Sequence, residues 1–255
     1  MLSAMQTDVL AFHRFFGLDW SPRPIDLAPE RKALRRSLIA EENSELWLAV
    51  SRFDMIETAD GICDLLYVTL GTRVEFGLPP PPAIALRLRP SIAFPDAKIE
   101  LPAFKQAFLR RIADLSLVLS ATTASLSAID SATENVARAC CGLSAAFGLP
   151  FPLLWAKVHS SNMTKAERPA HGEGCPLTRD PETGRSQACI CGAVLYREDG
   201  KLLKGRGFRP PDIAGILAAA GYVQPQASQD SGGTLFSEGP ERPATVADVP
   251  AMRGK

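Results

Sequence analysis

Apolar residues recur at three- and four-residue spacings over most of the first 165 residues of this chain, a pattern typical of amphipathic helices. Glycine and proline mark the ends of the periodic stretches. The pattern predicts helices over residues 4–17, 29–50, 54–76, 103–127, 131–148 and 152–161. No strands alternate with them, so we expect an all-α fold, a helical bundle.

The chain changes character after Lys165. Residues 166–200 are loop-like, with a two-stranded piece expected within 186–196, and a short helix is expected over 212–221. From Gln224 the chain is polar and rich in Gly, Pro and Ser, which is typical of disorder. We therefore expect a helical domain over 1–165, an irregular cysteine-containing segment of the same domain over 166–223, and a disordered tail over 224–255.

Composition narrows the function classes. Lys and Arg number 28 and Asp and Glu also 28, so no overall basic field favours nucleic acid as a partner. No run of about 18 apolar residues predicts a membrane span, and the N-terminus has no pattern of a secretion signal. Six cysteines in 255 residues do not form a disulfide framework and fit a reducing compartment. We expect a cytoplasmic protein without nucleic-acid or membrane partners.

Acidic side chains form stripes on two consecutive predicted helices. The first stripe is Glu41, Glu42 and Glu45, and the second is Glu57, Asp60 and Asp64. The helical repeat brings the members of each stripe to one face, at the edge of the apolar side. Crowded carboxylates at a core edge resist desolvation unless a cation offsets their charge. Oxygen ligands of this kind favour Mg²⁺ or Mn²⁺ over zinc, whereas a single stripe would be read as a solvated helix face.

The two stripes also carry a family resemblance. EENSE followed by ETAD resembles the all-α nucleoside triphosphate pyrophosphatases, a superfamily that includes MazG, the dimeric dUTPases and phosphoribosyl-ATP pyrophosphohydrolase. The segments AFHRFFGL, ETADGICDLLYVTLG, VHSSNMTK and EDGKLLKGRGFRPPDI are most similar to phage MazZ-type (d)GTP diphosphohydrolases. The resemblance extends over residues 8 to 215.

That resemblance implies the fold of a MazG-like bundle and an activity. The implied reaction is Mg²⁺-dependent cleavage of the α–β bond of a purine nucleotide, dGTP or GTP, with two or three Mg²⁺ per site and Mn²⁺ able to substitute. It implies catalytic and metal-binding roles for Glu41 and Glu42, metal-binding roles for the other four acids, and a homodimer or homotetramer. The cytoplasm would be that of a bacterium, or of the host cell if the chain is phage-encoded.

Two registers with the family are open. In one, Glu57 and Asp60 form the ExxD pair. In the other, Asp64 before Leu65-Leu66-Tyr67 matches an Asp of the phosphoribosyl-ATP enzymes, and Asp60 supplies the earlier ligand. The four-residue spacing from Asp60 to Asp64 departs from the family pattern and leaves the role of Glu57 open.

Four polar residues near the C-terminus are implied to bind substrate. Asn162 and Lys165 lie in the segment SNMTK, and Lys201 and Lys204 in DGKLLKG. Lysines balance phosphate charge and an amide binds phosphate or base oxygens. Without the resemblance, an Asn at a helix end and such lysines are ordinary capping and surface residues.

The irregular segment holds a second ligand cluster. His171, Cys175, Cys189 and Cys191 follow the spacing H-x3-C-x13-C-x-C. These residues are compatible with a structural zinc that holds an insertion together, and also with reduced thiols, which the non-standard spacing favours. The other cysteines are interpreted as small core residues: Cys63, Cys140 and Cys141.

Two alternatives to a (d)GTP enzyme stay open. One is a phosphoribosyl-ATP or broad house-cleaning nucleotide pyrophosphatase. The other is a non-catalytic nucleotide-binding helical protein, which the full set of acidic residues disfavours.

Overall fold

The computed structural model of the chain describes residues 1–84, 87, 89–123, 125–166, 175–179, 186–197, 199–205 and 207–224. The helices and strands in this part of the chain are α1 Leu2–Phe16, α2 Pro29–Ser51, α3 Met55–Glu75, α4 Glu100–Ser120, α5 Leu126–Ala146, α6 Phe151–Asn162, β1 Leu177–Arg179, β2 Ser186–Cys189 and α7 Ile213–Ala219. The structure is mostly helical with one two-stranded sheet, so the all-α prediction is confirmed.

Helix α3 lies at the centre of the molecule. Four helices form a ring of neighbours in which α2 contacts α3, α3 contacts α5, α5 contacts α4, and α4 contacts α2. Helices α1, α6 and α7 also contact α3. Because α3 is surrounded in this way, most of its residues are buried, and its few accessible positions include Glu57, Asp60 and Asp64.

Local sequence explains where the central helices begin and end. Pro29 occupies the first turn of α2, where its missing N–H leaves no bond unmade. The Asp54 carboxylate accepts hydrogen bonds from the backbone N–H groups of Ile56 and Glu57 and so caps α3. Between the two helices, Phe53 adopts a positive φ of 54°, a conformation that a bulky residue rarely takes. The resulting tight turn sets α2 and α3 side by side.

Two predicted helix boundaries were wrong. Helix α4 ends at Ser120 rather than at 127, and α5 begins at Leu126 rather than at 131. The Lys32 ammonium of α2 donates hydrogen bonds to the carbonyls of Ala121 and Thr122, which satisfies acceptors just beyond the end of α4. This long-range contact is invisible to helix periodicity.

The small sheet also differs from its prediction. β2 lies within the expected range 186–196, but its antiparallel partner β1 comes earlier, with Leu177 opposite Cys189. The expected short helix over 212–221 is present as α7. Residues 225–255 lie outside the described residues, so the disordered tail stays a prediction. No helix of the described residues is both long and apolar enough to cross a membrane.

Candidate active site

The two acidic stripes face each other because α2 and α3 approach closely. A Cβ added to Gly61 would lie 3.1 Å from the Leu46 Cα atom, closer than nearly all real contacts of this kind. The glycine therefore permits the close approach, because a methyl group here would require Leu46 to move by a few tenths of an ångström. Glu45 precedes Leu46 on α2, and Asp60 and Asp64 flank Gly61 on α3, so the close approach brings acids of both helices together.

One cleft of about 630 Å³ collects most of the predicted site residues. Its walls come from α2, α3, the end of α6 and the segment after Tyr196. The predicted residues that line it are Glu41, Glu42, Glu45, Asp60, Asp64, Asn162, Lys165, Lys201 and Lys204. The cleft thus has carboxylates on one side and lysines on the other, although the chain positions are up to 163 residues apart.

Three carboxylates of the cleft, those of Glu42, Asp60 and Asp64, hold their protons more tightly than ordinary ones. Burial raises the pKa of Glu42 to about 8, with added repulsion from Asp64 and Glu45. Burial also raises the pKa of Asp60 to about 7, and Asp64 and Glu57 add to the shift. The pKa of Asp64 is raised by burial against the opposing effect of Lys165. Such shifts are typical of functional sites, where like charges are gathered for a ligand.

The lysines are set against these acids. Lys201 Nζ lies 2.7 Å from Glu41 Oε1 and forms an ion pair across 160 positions of the chain. Burial lowers the pKa of Lys165, and the nearby Asp64 charge opposes this shift. The Lys165 ammonium lies 5.5 Å from the centre of the Phe12 ring. Lys204 Nζ lies 4.7 Å from the ring centre of Phe208. Three lysine ammonium groups in one cleft are suited to a phosphate chain.

Hydrogen bonds join the segments that carry Lys165 and Lys204. The N–H of Gly205 donates to the Lys165 carbonyl at 3.0 Å, and a Cβ at this glycine would lie 2.6 Å from the same oxygen. Ser161 Oγ donates to the Arg209 carbonyl at 2.6 Å. The end of α6 and the segment after Lys204 are thereby fixed to one another.

Glu57 lies apart from the other acids. It is exposed and lines a second, smaller cleft of about 220 Å³, which shares Glu45, Asp60 and Asp64 with the first. Asp60 and Asp64 therefore line both clefts, including the one with the lysines. Glu57 lines the smaller cleft, which is formed without the lysines. Glu57 stays a predicted ligand at the rim of the shared acids.

The site residues fit a divalent cation by their donor chemistry. Asp60 Oδ1 is buried and has no hydrogen-bond partner among the described residues, which is costly unless another group satisfies it. All candidate donors are carboxylate oxygens, the ligands of Mg²⁺ and Mn²⁺. Within the described residues, however, no three acidic residues each bring a carboxylate oxygen within 4.8 Å of the others. The acids share a cleft without forming a closed cage, so water must complete any coordination here.

Arg197 and Phe208 are among the residues of the cleft that sequence reasoning missed. Arg197 forms an ion pair with Asp199 at 2.5 Å, and the Asp199 carboxylate accepts from the backbone N–H of Lys201. The only signal in the sequence was the short spacing R-x-D-x-K. His159 Nδ1 lies 3.1 Å from the Tyr67 hydroxyl.

The cysteine cluster is partly described. Cys175, Cys189 and Cys191 have sulfur atoms within 4.8 Å of one another, whereas His171 lies outside the described residues. Cys63, Cys140 and Cys141 are buried, as predicted.

The comparisons with known proteins agree with this geometry at a coarse level. Residues 9–86 match the family model described as Phosphoribosyl-ATP pyrophosphohydrolase, and the matched range, less than a third of the chain, contains α2, α3 and all six acids. No curated protein matches the chain. This part of the chain is therefore similar to an all-α nucleotide pyrophosphohydrolase domain, and the comparison does not extend to the MazZ type.

Proposed function

We propose that the protein is a Mg²⁺-dependent nucleoside triphosphate diphosphohydrolase, which cleaves the α–β bond of a purine nucleotide to monophosphate and pyrophosphate. The observation that carries this proposal is the cleft in which carboxylates of α2 and α3 face Lys165, Lys201 and Lys204. Its volume, about 630 Å³, lies within the range of roughly 300–1,000 Å³ usual for small-molecule sites. The pyrophosphohydrolase family match supports the same reaction class.

The carboxylates of α2 and α3 would hold the metal in this proposal. Glu42, Glu45, Asp60 and Asp64 supply the oxygens, and Asp60 Oδ1 gains the partner that the described residues do not provide. Bound there, two or three Mg²⁺ would supply Lewis-acid polarisation of phosphate oxygens and activation of water. Mn²⁺, which prefers the same ligands, would substitute.

The side chains of this chain divide the remaining work. Water adds to the α-phosphorus, the bridging oxygen leaves with pyrophosphate, and a carboxylate takes the proton of the water. Glu42 suits that role better than Glu41, because the Glu41 carboxylate is held by the Lys201 ammonium at 2.7 Å. The lysines bind the phosphates and stabilise the charge that develops on the leaving pyrophosphate.

The (d)GTP preference rests on the resemblance to MazZ-type enzymes. A second substrate, phosphoribosyl-ATP, is favoured by the description of the matched family. Both substrates present a purine and an α–β phosphate bond, so the charged part of the cleft serves either one.

Product analysis tests the proposal. Purified protein with Mg²⁺ is given dGTP, GTP, dATP, dUTP, dCTP and phosphoribosyl-ATP separately, and products are resolved by anion exchange. We expect equal amounts of monophosphate and pyrophosphate, with dGTP or GTP turned over fastest. Faster turnover of phosphoribosyl-ATP would mean that the preferred substrate is phosphoribosyl-ATP, while the proposed cleavage of the α–β bond would stand. Release of orthophosphate alone, or no turnover of any of the six, would overturn the reaction.

We also propose that the protein is a homodimer or homotetramer. Two leucines on the outer side of α4 support an interface there, since Leu109 and Leu117 are 39% and 73% exposed. Sedimentation of the full chain at micromolar concentration tests this assembly, and a monomer would contradict it.

A further inference from the structure

Three cysteine sulfurs meet beside the small sheet. Cys175 precedes β1, Cys189 ends β2, and Cys191 lies in the turn that follows. Their sulfur atoms lie within 4.8 Å of one another, and the Cys189 and Cys191 sulfurs are 2.9 Å apart. Tetrahedral zinc with Zn–S bonds of about 2.3 Å separates its sulfur ligands by roughly 3.8 Å. The three sulfurs are thus close enough to bind one metal ion after small side-chain rotations.

Backbone N–H groups point at two of these sulfurs. Val194 N–H donates to Cys189 Sγ at 3.2 Å, and the backbone N–H of Ala193 donates to the Cys191 sulfur. The turn that aims them needs Gly192, whose φ is 73° and whose N–H donates to the Cys189 carbonyl. Such donors stabilise a thiolate more than a neutral thiol, because hydrogen bonds to charged acceptors are stronger.

The sheet beside the sulfurs is short. β1 has three residues and β2 has four, and their register shifts between Thr178 and Arg179. A two-stranded sheet of this size is marginal in water. A cross-link between the start of β1 and the end of β2 would stabilise it.

From these observations we propose that Cys175, Cys189 and Cys191 bind a structural Zn²⁺. Soft thiolates select zinc, whereas the carboxylate cleft selects Mg²⁺, so the two metals do not compete. Cys191 is exposed, so water or a residue outside the described ones would fill the fourth coordination position. His171 lies outside the described residues and is not part of the proposed set.

This zinc would fix the segment that carries the cleft lysines. Ala188 of β2 pairs with Leu195, and Tyr196 pairs with Leu202. The Leu203 N–H donates to the Leu195 carbonyl at 2.9 Å. Hydrogen bonds therefore run without a break from the cysteine turn to the segment that begins at Lys201. The zinc proposal does not depend on the proposed function, since the bond network exists whatever ligand the lysines bind.

Metal analysis of the intact chain tests the proposal. The protein is expressed with zinc in the medium and purified under reducing conditions without chelator, and its metal content is measured by mass spectrometry. We expect one zinc per wild-type chain and none in the double variant Cys175→Ser with Cys191→Ser. The control Cys141→Ala removes a buried thiol of α5 and should keep its zinc. Wild-type protein without zinc, or zinc retained by the double variant, would overturn the proposal.

A second measurement decides the matter if the double variant fails to fold. Replacing zinc by Co²⁺ in the wild type should give the visible absorption of tetrahedral thiolate-bound cobalt. A mercurial that reacts with thiols should abolish this absorption and release the metal. A colourless cobalt protein, or a disulfide joining two of the three cysteines after reducing purification, would contradict a thiolate metal site.

Discussion

Both ends of the α2–α3 pair contain carboxylates and basic side chains. At one end the carboxylate is paired directly with arginines, whereas at the other end several carboxylates crowd together across a cleft from lysines. At one end, Glu75 is fully buried but accepts hydrogen bonds from Arg31 at 2.6 and 2.7 Å and from Arg35 at 3.3 Å. Burial alone would raise the pKa of Glu75, and the two arginines instead hold it below its usual value. At the other end, the pKa values of Glu42 and Asp60 are raised.

The difference separates a structural charge from one available for a ligand. Arg31 and Arg35 satisfy Glu75 within the protein, so this carboxylate has nothing left to bind. The acids of the cleft gain only partial compensation from lysines across an open space. On one pair of helices, the arginine-paired end stabilises the fold, whereas the acid-rich end retains binding capacity.

The largest expected effect comes from removing an acid at the acid-rich end. Asp64→Asn should lower turnover of the preferred triphosphate by about a thousandfold, because a metal-binding oxygen is lost. The helices should be no less stable, since the change removes a repelling charge. Steady-state kinetics and urea unfolding measure the two effects. The matched control is Asp114→Asn on the exposed side of α4, which should change neither.

At the arginine-paired end the same kind of change should act on stability. Glu75→Gln leaves Arg35 buried without its countercharge, and the free energy of unfolding should fall by about 3 kcal/mol. Urea unfolding measures this loss. Glu134→Gln, which breaks an ion pair with Arg138 one helical turn away on α5, should cost only about 0.4 kcal/mol. If the free energy of unfolding fell equally in the two variants, the buried Glu75 ion pairs would stabilise the fold no more than a surface ion pair does.

A smaller effect concerns pH. Burial lowers the pKa of His13, beside the Glu75 cluster, from 6.5 to about 4. The unfolded chain therefore binds a proton near pH 5 that the folded chain does not, and stability is lost as pH falls from about 6.5 towards 4. The loss due to His13 should be about 3 kcal/mol. The free energy of unfolding of the wild type and of His13→Gln is measured at several pH values, and the difference between the two curves gives the contribution of His13. Parallel curves would show that His13 does not contribute.

Much of the acid-rich end was predictable from the sequence, because the acids of each stripe are near neighbours on one helix. Helical periodicity predicts that Glu42 and Glu45 share one helix face and that Asp60 and Asp64 share another. The structure shows how the two faces meet, at the close approach of Gly61 to Leu46. Contacts across the chain were different. The Lys201–Glu41 pair spans 160 positions, and only the family resemblance placed that lysine near the acids.

The arginine-paired end escaped sequence reasoning for a physical reason. Arg31 and Arg35 follow Pro29 in a helix start that looks solvent-exposed, and Glu75 ends a helix near a glycine. Nothing in the neighbouring sequence distinguishes a surface arginine from Arg35, which pairs with a carboxylate 40 residues later in the chain. The end of α4, beside which Lys32 of α2 donates to the Ala121 carbonyl, was mispredicted, and this long-range contact leaves no local signal either.

Binding of Mn²⁺ by the metal-free cleft tests the central claim most directly. Calorimetric titration near neutral pH should show Mn²⁺ binding to the wild type that Mg²⁺ competes away. Asp64→Asn should weaken the binding at least about tenfold, and Asp114→Asn should leave it unchanged. If the wild type bound no Mn²⁺, or if Asp64→Asn bound it as tightly, the carboxylates of α2 and α3 would not be a metal site.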